Sequence, residues 1–130
     1  MLFRSYFAPL RVRLWPEQIL EPDIVFLRPA RATDPHGPVP GADLVVEVVS
    51  PGEDARERDL VTKPTEYARA KISEYWIVDP EEKQVTVLVL DGDHYRVHGV
   101  FKPGQHANSI ALPGFEIPVE AVFKAAEFIP

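Results

Sequence analysis

The stretch "ADLVVEVVS", residues 42–50, constrains the fold most, because it is apolar at nearly every position. A strand that is apolar on both faces is covered on both sides and is therefore central in its sheet. Successive side chains of a strand point to opposite faces, so Val45, Glu47 and Val49 share one face. The run predicts a central strand that places one carboxylate, Glu47, inside the core.

A carboxylate in such a strand needs a partner, since burying an unpaired ionised carboxylate is strongly unfavourable. One interpretation is a buried ion pair with an arginine such as Arg58. The other is that Glu47 is a metal ligand. A rival zinc site could use His94 and His98, which fall on one side of a predicted strand, but the nearby sequence offers no residues that complete it.

Composition indicates a single globular domain spanning residues 1–130. A chain of 130 residues suffices for one core, and 45% hydrophobic and 26% charged residues are typical of globular proteins. The absence of cysteine excludes disulfides and thiolate metal sites. With no signal-peptide pattern and no apolar run of membrane-spanning length, the sequence predicts a cytoplasmic protein without a membrane partner.

The net charge also limits the partners of the chain. At −6, it argues against broad non-specific nucleic-acid binding, which requires a basic face. A nucleic-acid function would therefore need metal ions.

Two further strands are predicted in the first third of the chain. "PLRVRLW" alternates between apolar and basic residues, as a half-buried first strand does. In "EPDIVFLR", Pro22 opens a strand that continues from Ile24 to Leu27, so Asp23 lies at the beginning of that strand. The Pro- and Gly-rich residues 29–41 predict a loop.

A helix is predicted in "PGEDARERDLVTKPTEYARAKI". Proline is well tolerated in the first turn of a helix, so we place Pro64 there, with Lys63 introducing the helix. The charged residues that precede it predict a solvated mixed-charge segment without a catalytic role. Its members are Glu53, Asp54, Arg56, Glu57, Arg58 and Asp59.

The second half of the sequence predicts an antiparallel meander. "EYWIVD" is an apolar strand, and "QVTVLVL" meets "HYRVHGVF" across the hairpin turn at residues 91–93. "LPGFEIPVEAVFKAAEF" predicts a turn and a short amphipathic helix. The fold class is therefore α/β with a mixed sheet.

Asp23, Glu47 and Lys63 together form a candidate site. Carboxylate oxygens from separate strands suit Mg²⁺, which keeps several waters for substrate contact. A lysine can orient or deprotonate an attacking water, or stabilise charge on a phosphate. The pattern fits metal-dependent phosphodiester hydrolysis, but these residue types are common and their spacing alone is not specific.

Several segments resemble one known family. In order, "EPDIVF", "DLVVEVVSP", "RDLVTKPTEYARA" and "EYWIVDPEEKQVTVL" resemble the Uma family of restriction-endonuclease-like proteins, within the PD-(D/E)XK nuclease superfamily. "LPGFEIPVEAVF" is similar to the family's terminal segment. The resemblance implies a restriction-endonuclease-like fold, in which helices flank a mixed central β-sheet and a β-meander follows toward the C-terminus.

The resemblance also implies roles for individual residues. Asp23, Glu47 and the backbone carbonyl of Val48 would bind Mg²⁺ or Mn²⁺. Lys63 would act in catalysis from the helix, having moved from the usual superfamily position, which is Val49 here. The implied activity is that of a Mg²⁺-dependent endonuclease that hydrolyses DNA.

The sequence departs from the family pattern in two places, and the first of these, together with the acidic charge, favours an alternative function as a catalytically inactive binding or assembly module. The family usually has a longer N-terminal helical region, which this sequence is expected to lack. In "AKISEYW", where the family commonly has a glycine-containing turn, Lys71 at positive φ would cost about 1 kcal/mol. A homodimer would hide exposed sheet edges and the apolar N-terminus "MLFRSYFAPL".

Overall fold

The structure is a computed structural model that describes residues 10–27 and 37–124 in full, and residues 4–7 and 125–126 by their backbone. Most of the predicted loop at 29–41 and part of the apolar N-terminus lie outside the described residues. In chain order the strands are β1 (Arg4–Phe7), β2 (Val12–Trp15), β3 (Gln18–Leu20), β4 (Ile24–Leu27), β5 (Val39–Pro40), β6 (Leu44–Val48), β7 (Glu74–Asp79), β8 (Gln84–Asp91), β9 (His94–Phe101), β10 (His106–Asn108) and β11 (Glu116–Pro118). The helices are α1 (Glu53–Glu57), a π-helical segment (Arg58–Thr62), α2 (Lys63–Arg69) and α3 (Val119–Ala126).

A six-stranded mixed sheet forms the centre of the molecule, in the order β1-β4-β6-β7-β8-β9. Strands β6 and β7 are parallel, and the other neighbours are antiparallel. The helical stretch from α1 to α2 makes the crossover between the parallel pair, and β7, β8 and β9 form the predicted meander. This confirms the predicted α/β architecture.

Two small sheets accompany the central one, β3-β2-β5 and β10-β11. The alternating "PLRVRLW" segment is a strand, with Val12 buried and Arg13 exposed, as predicted. It is not the first strand, however, because β1 precedes it and pairs with β4. Its sheet lies outside the central one, which the alternation of a single strand cannot reveal.

The prediction for the central strand is confirmed. Glu47 is 2% exposed in β6. Val45 and Val49 lie in the hydrophobic cluster on one face of the sheet. Leu44 and Val46 lie in the cluster on the other face. The alternation therefore places Glu47 on the same face as the first cluster.

The helix begins earlier than predicted, and Pro64 explains its irregular middle. Pro64 does lie in the first turn of α2, but the chain is already helical from α1. Proline lacks an N–H group and its ring clashes with the carbonyl four residues earlier, so a regular helix cannot continue through it. The π-helical segment widens the backbone just before Pro64, and the Lys63 N–H bonds to the Arg58 carbonyl.

The charged residues before this proline are not uniformly solvated, which corrects the prediction for this segment. Glu57 and Arg58 are exposed, but Asp59 is 3% exposed. Arg56 donates two hydrogen bonds to Asp79, at 3.0 and 2.9 Å, and thereby ties α1 to the end of β7. A local run of charges does not show which members face the sheet.

The Arg56–Asp79 pair makes stability depend on pH. Burial alone would raise the pKa of Asp79, but hydrogen bonds from Arg56 and from the Glu82 and Glu81 amides outweigh it and lower that pKa. The stabilisation is therefore present above the ordinary carboxyl pKa and is lost as pH falls through the lowered one. In urea unfolding from pH 7 to pH 3, Asp79→Asn should be less stable than wild type at pH 7, and the difference should shrink with acid. A constant difference would exclude this ionic contribution.

Lys71 has a positive φ of 61°, the left-handed conformation that glycine adopts without strain. It ends α2 in a Schellman motif, in which the N–H groups of Lys71 and Ile72 bond to the carbonyls of Ala68 and Tyr67.

We expect Lys71→Gly to raise the free energy of unfolding by roughly 0.5–1 kcal/mol, because glycine adopts positive φ without strain. Urea denaturation measures this. Lys71→Ala keeps the strain and should give no gain; a gain with alanine would point to the lost lysine side chain instead.

Glu74, the first residue of β7, is a fully buried carboxylate with 0% exposure. It accepts hydrogen bonds from the Ser109 hydroxyl at 2.6 Å, the Trp76 indole N–H at 2.8 Å, and the backbone N–H groups of Ile110 and Ala111 at 2.8 and 3.0 Å. Four donors from two parts of the chain converge on one side chain. Glu74 thus holds the loop after β10 against the central sheet through hydrogen bonds.

Within the described part of the chain, none of the helices has the length and apolarity needed to cross a membrane.

Candidate active site

The pairing of β4 with β6 brings Asp23 beside Glu47. The two strands are antiparallel, with Ile24 opposite Val46, so the residue that enters β4 lies next to the end of β6. The Val48 N–H donates to Asp23 Oδ2 at 2.6 Å, and the Asp23 N–H donates to Glu47 Oε1 at 3.2 Å. The backbone therefore fixes the orientation of both carboxylates.

Two side chains of α2 reach the same glutamate from above the sheet. Lys63 Nζ donates to Glu47 Oε2 at 2.7 Å, and the Tyr67 hydroxyl donates to the same oxygen at 2.7 Å. They lie one helical turn apart, so both face the sheet. Glu47 does have a basic partner, but it is Lys63 and not Arg58, which is exposed.

Asp59 is a member of the site that the sequence did not reveal. Its Oδ1 lies 3.1 Å from Lys63 Nζ, and its backbone carbonyl accepts the Tyr75 hydroxyl at 2.8 Å. The Tyr75 ring packs edge-on against Tyr67, with centroids 5.1 Å apart. Asp59 precedes Lys63 by four residues, a spacing that brings side chains together on a helix, and this was the available signal.

Burial and charge act together on the ionisable groups of the site. Burial raises the pKa of Glu47 and of Asp23, and the nearby Lys63 charge lowers these values in part. For Lys63, burial lowers the pKa but Glu47 and Asp59 outweigh it, so its pKa is raised and it is an ammonium. Burial and the Glu47 charge raise the pKa of Tyr67, which stays a neutral donor.

The donor set fits a hard divalent cation. Asp23 and Glu47 bring two carboxyl groups together, and the one ammonium beside them, that of Lys63, pairs with Glu47 and Asp59. In residues 10–27 and 37–124, no group of three or more histidine or acidic side chains is arranged to hold a metal ion. Two carboxylates and the Val48 carbonyl could supply the protein ligands, with water completing the shell, as Mg²⁺ prefers.

The rival histidine site is not assembled. His94 Nδ1 lies 3.2 Å from the exposed Asp93 carboxylate, and His98 Nε2 lies 3.0 Å from the Asn108 side chain. Neither belongs to a metal-binding group within the residues that the structure describes.

The family model Uma2, described as "Putative restriction endonuclease", matches residues 2–120. The chain belongs to this family. All the residues of the candidate site, from Asp23 to Tyr75, lie within the match. The resemblance noted from the sequence is thereby confirmed.

A solved structure shares the fold of this Uma2 chain. It is described as a "putative nuclease belonging to DUF820 from Anabaena variabilis ATCC 29413", and it matches with a TM-score of 0.71 at 18% identity. The match covers 94% of this chain and 68% of that chain. It confirms the restriction-endonuclease-like fold. No curated protein matches the chain.

Proposed function

We propose that this Uma2 chain is a Mg²⁺- or Mn²⁺-dependent nuclease that hydrolyses phosphodiester bonds of DNA. The observation that carries the proposal is the cluster in which Asp23, Glu47 and Lys63 meet through direct contacts, although they come from three separate elements. The family description and the description of the solved Anabaena relative as a nuclease support the same chemistry.

Asp23, Glu47 and the Val48 carbonyl are the proposed metal ligands. A bound divalent cation would stabilise charge on the phosphate and lower the pKa of a water molecule. The chain's own contribution is orientation: the Val48 N–H holds one Asp23 oxygen, and the Asp23 N–H holds one Glu47 oxygen. Ligands fixed in this way need little rearrangement when a cation binds.

Lys63 is proposed to act through its charge. Because Glu47 and Asp59 keep it protonated, it can orient water or stabilise negative charge on the phosphate, but it is a poor acceptor for a proton. Of the roles that the sequence left open, the contacts therefore favour charge stabilisation over deprotonation. Tyr67 supports this arrangement by holding the shared oxygen of Glu47.

We also propose a cytoplasmic location and a homodimer. Strands β1 and β9 are the outer strands of the central sheet, and an outer strand offers backbone groups for pairing with a second chain.

DNA cleavage tests the proposal. Plasmid DNA and, separately, an RNA of similar length are incubated with the protein in Mg²⁺, Mn²⁺ or EDTA. We expect DNA to be cut in either metal, with no cleavage in EDTA and none by Asp23→Asn or Glu47→Gln. Glu82→Gln, at an exposed position, is the control and should cleave like wild type. Cleavage that survives in both site variants would reject this site, and cleavage of RNA alone would reject DNA as the substrate.

A further inference from the structure

Lys63 lies between two buried carboxylates. Its Nζ is 2.7 Å from Glu47 Oε2 and 3.1 Å from Asp59 Oδ1. Glu47 is 2% exposed and Asp59 is 3% exposed, whereas the lysine side chain is 17% exposed. The ammonium is therefore shared between a proposed metal ligand and a second acid that solvent barely reaches.

Asp59 has no place among the proposed ligands. Among the described residues, Asp23, Glu47 and Asp59 do not form a group that could hold a metal ion. The side-chain contact of Asp59 is with Lys63, and the Tyr75 hydroxyl fixes its backbone carbonyl. The direct contact of Asp59 is thus with the lysine and not with a proposed metal ligand.

A cation and Lys63 would compete for Glu47. Oε2 of Glu47 already accepts from both Lys63 and Tyr67, and Oε1 accepts from the Asp23 N–H. A divalent cation at this carboxylate would repel the ammonium, since like charges at such distances in a partly buried site interact strongly. Without a second partner, the lysine would have to leave the site or hinder the cation.

We propose that Asp59 is a positioning residue that retains the Lys63 ammonium in the site when Glu47 binds a divalent cation. This inference rests on the proposed metal-dependent function. In the cation-free chain the ammonium is shared by both acids. When Glu47 is engaged by the cation, Lys63 stays with Asp59 and remains close to where the substrate phosphate would bind.

A double-mutant cycle on Mn²⁺ affinity tests the inference. Mn²⁺ is titrated calorimetrically into the full chain as wild type, Asp59→Asn, Lys63→Met and the double variant. We expect Asp59→Asn to weaken Mn²⁺ binding about ten-fold in the wild-type background, because the lysine then remains on Glu47. In the Lys63→Met background the same change should alter the affinity by less than about two-fold.

Two further variants test whether a general change of charge explains the effect and whether a carboxylate at position 59 is what matters. Asp54→Asn makes the same charge change at an exposed position of α1 and should leave the affinity unchanged. Asp59→Glu keeps a carboxylate within reach of the flexible lysine and should bind Mn²⁺ within about two-fold of wild type. If Asp59→Asn does not fold, Asp59→Glu carries the test, and a ten-fold loss in that variant overturns the inference.

The remaining outcomes separate this inference from the proposed function. Equal weakening by Asp59→Asn in both backgrounds would mean that Asp59 acts by its own charge, which overturns the inference. No weakening in the wild-type background overturns it as well. In both cases the metal-dependent function stands, because the wild type still binds Mn²⁺. If the wild type binds no Mn²⁺, the proposed function and the inference fail together.

Discussion

Replacing Lys63 with methionine is expected to lower the rate of DNA cleavage by about 10²- to 10³-fold while Mg²⁺ or Mn²⁺ still binds, which is the loss typical of removing one preorganised charge-stabilising donor. Methionine keeps much of the length of the side chain but has no charge. Of the side chains that meet at Glu47, Lys63 is the cationic one, so no other member of the cluster can replace it. Single-turnover rates at saturating metal measure the effect on the chemical step.

Two controls make the Lys63→Met result specific. Lys124→Met removes an exposed lysine from α3 and should cleave at the wild-type rate. Calorimetric titration of Lys63→Met with Mn²⁺ shows whether the metal site is intact. Wild-type cleavage by Lys63→Met would remove the lysine from the mechanism, and loss of Mn²⁺ binding would assign it a structural role at the metal site.

Glu74→Ala is expected to lower the free energy of unfolding by about 3–4 kcal/mol. The change leaves four donors without their acceptor, among them the Trp76 indole and the Ser109 hydroxyl. A buried donor without a partner costs about 1–3 kcal/mol, and removing the side chain also leaves a cavity. The effects of the four donors do not add fully, because the loop after β10 can relax toward water.

Urea denaturation of Glu74→Ala, Glu74→Gln and Glu82→Ala measures this effect. Glutamine keeps one acceptor oxygen but turns an amide group toward existing donors, so its loss of stability should lie between those of wild type and the alanine variant. The exposed Glu82→Ala should change stability by less than about 0.5 kcal/mol. If Glu74→Ala lost less than about 1 kcal/mol, the loop would not depend on this carboxylate.

The sequence predicted those parts of the fold that follow from local periodicity. The central strand around Glu47 was evident because it is apolar on both faces. The hairpin at Gly92 followed from its turn residues, and the short amphipathic helix α3 followed from its apolar spacing. In each case the relevant residues are close in sequence and do not depend on a distant partner.

Elements that depend on distant partners were missed. Strand β1 exists through its pairing with β4, and β10 through its pairing with β11. The widened helix before Pro64 was missed because the sequence identified a helix start, whereas the structure keeps the chain helical and changes its hydrogen bonding. The hydrogen-bonding pattern of the helix at this point depends on how it packs against the sheet.

In the candidate site, too, the sequence identified individual residues but not the contacts that depend on packing. Asp23, Glu47 and Lys63 were identified from the sequence, and the structure brings them together. The choice of Lys63 over Arg58 as the partner of Glu47 depends on which side of the helix faces the sheet. Asp59 was missed for the same reason, because a buried aspartate within a run of charges looks like its solvated neighbours.

Calorimetric titration of Mg²⁺ and Mn²⁺ into wild type, Asp23→Asn and Glu47→Gln tests most directly whether Asp23 and Glu47 form one divalent-cation site. Both substitutions keep the size of the side chain and remove one negative charge. We predict that the wild type binds the cations and that each substitution alone abolishes binding. A wild type that binds neither cation, or variants that bind as tightly as wild type, would show that Asp23 and Glu47 do not form such a site.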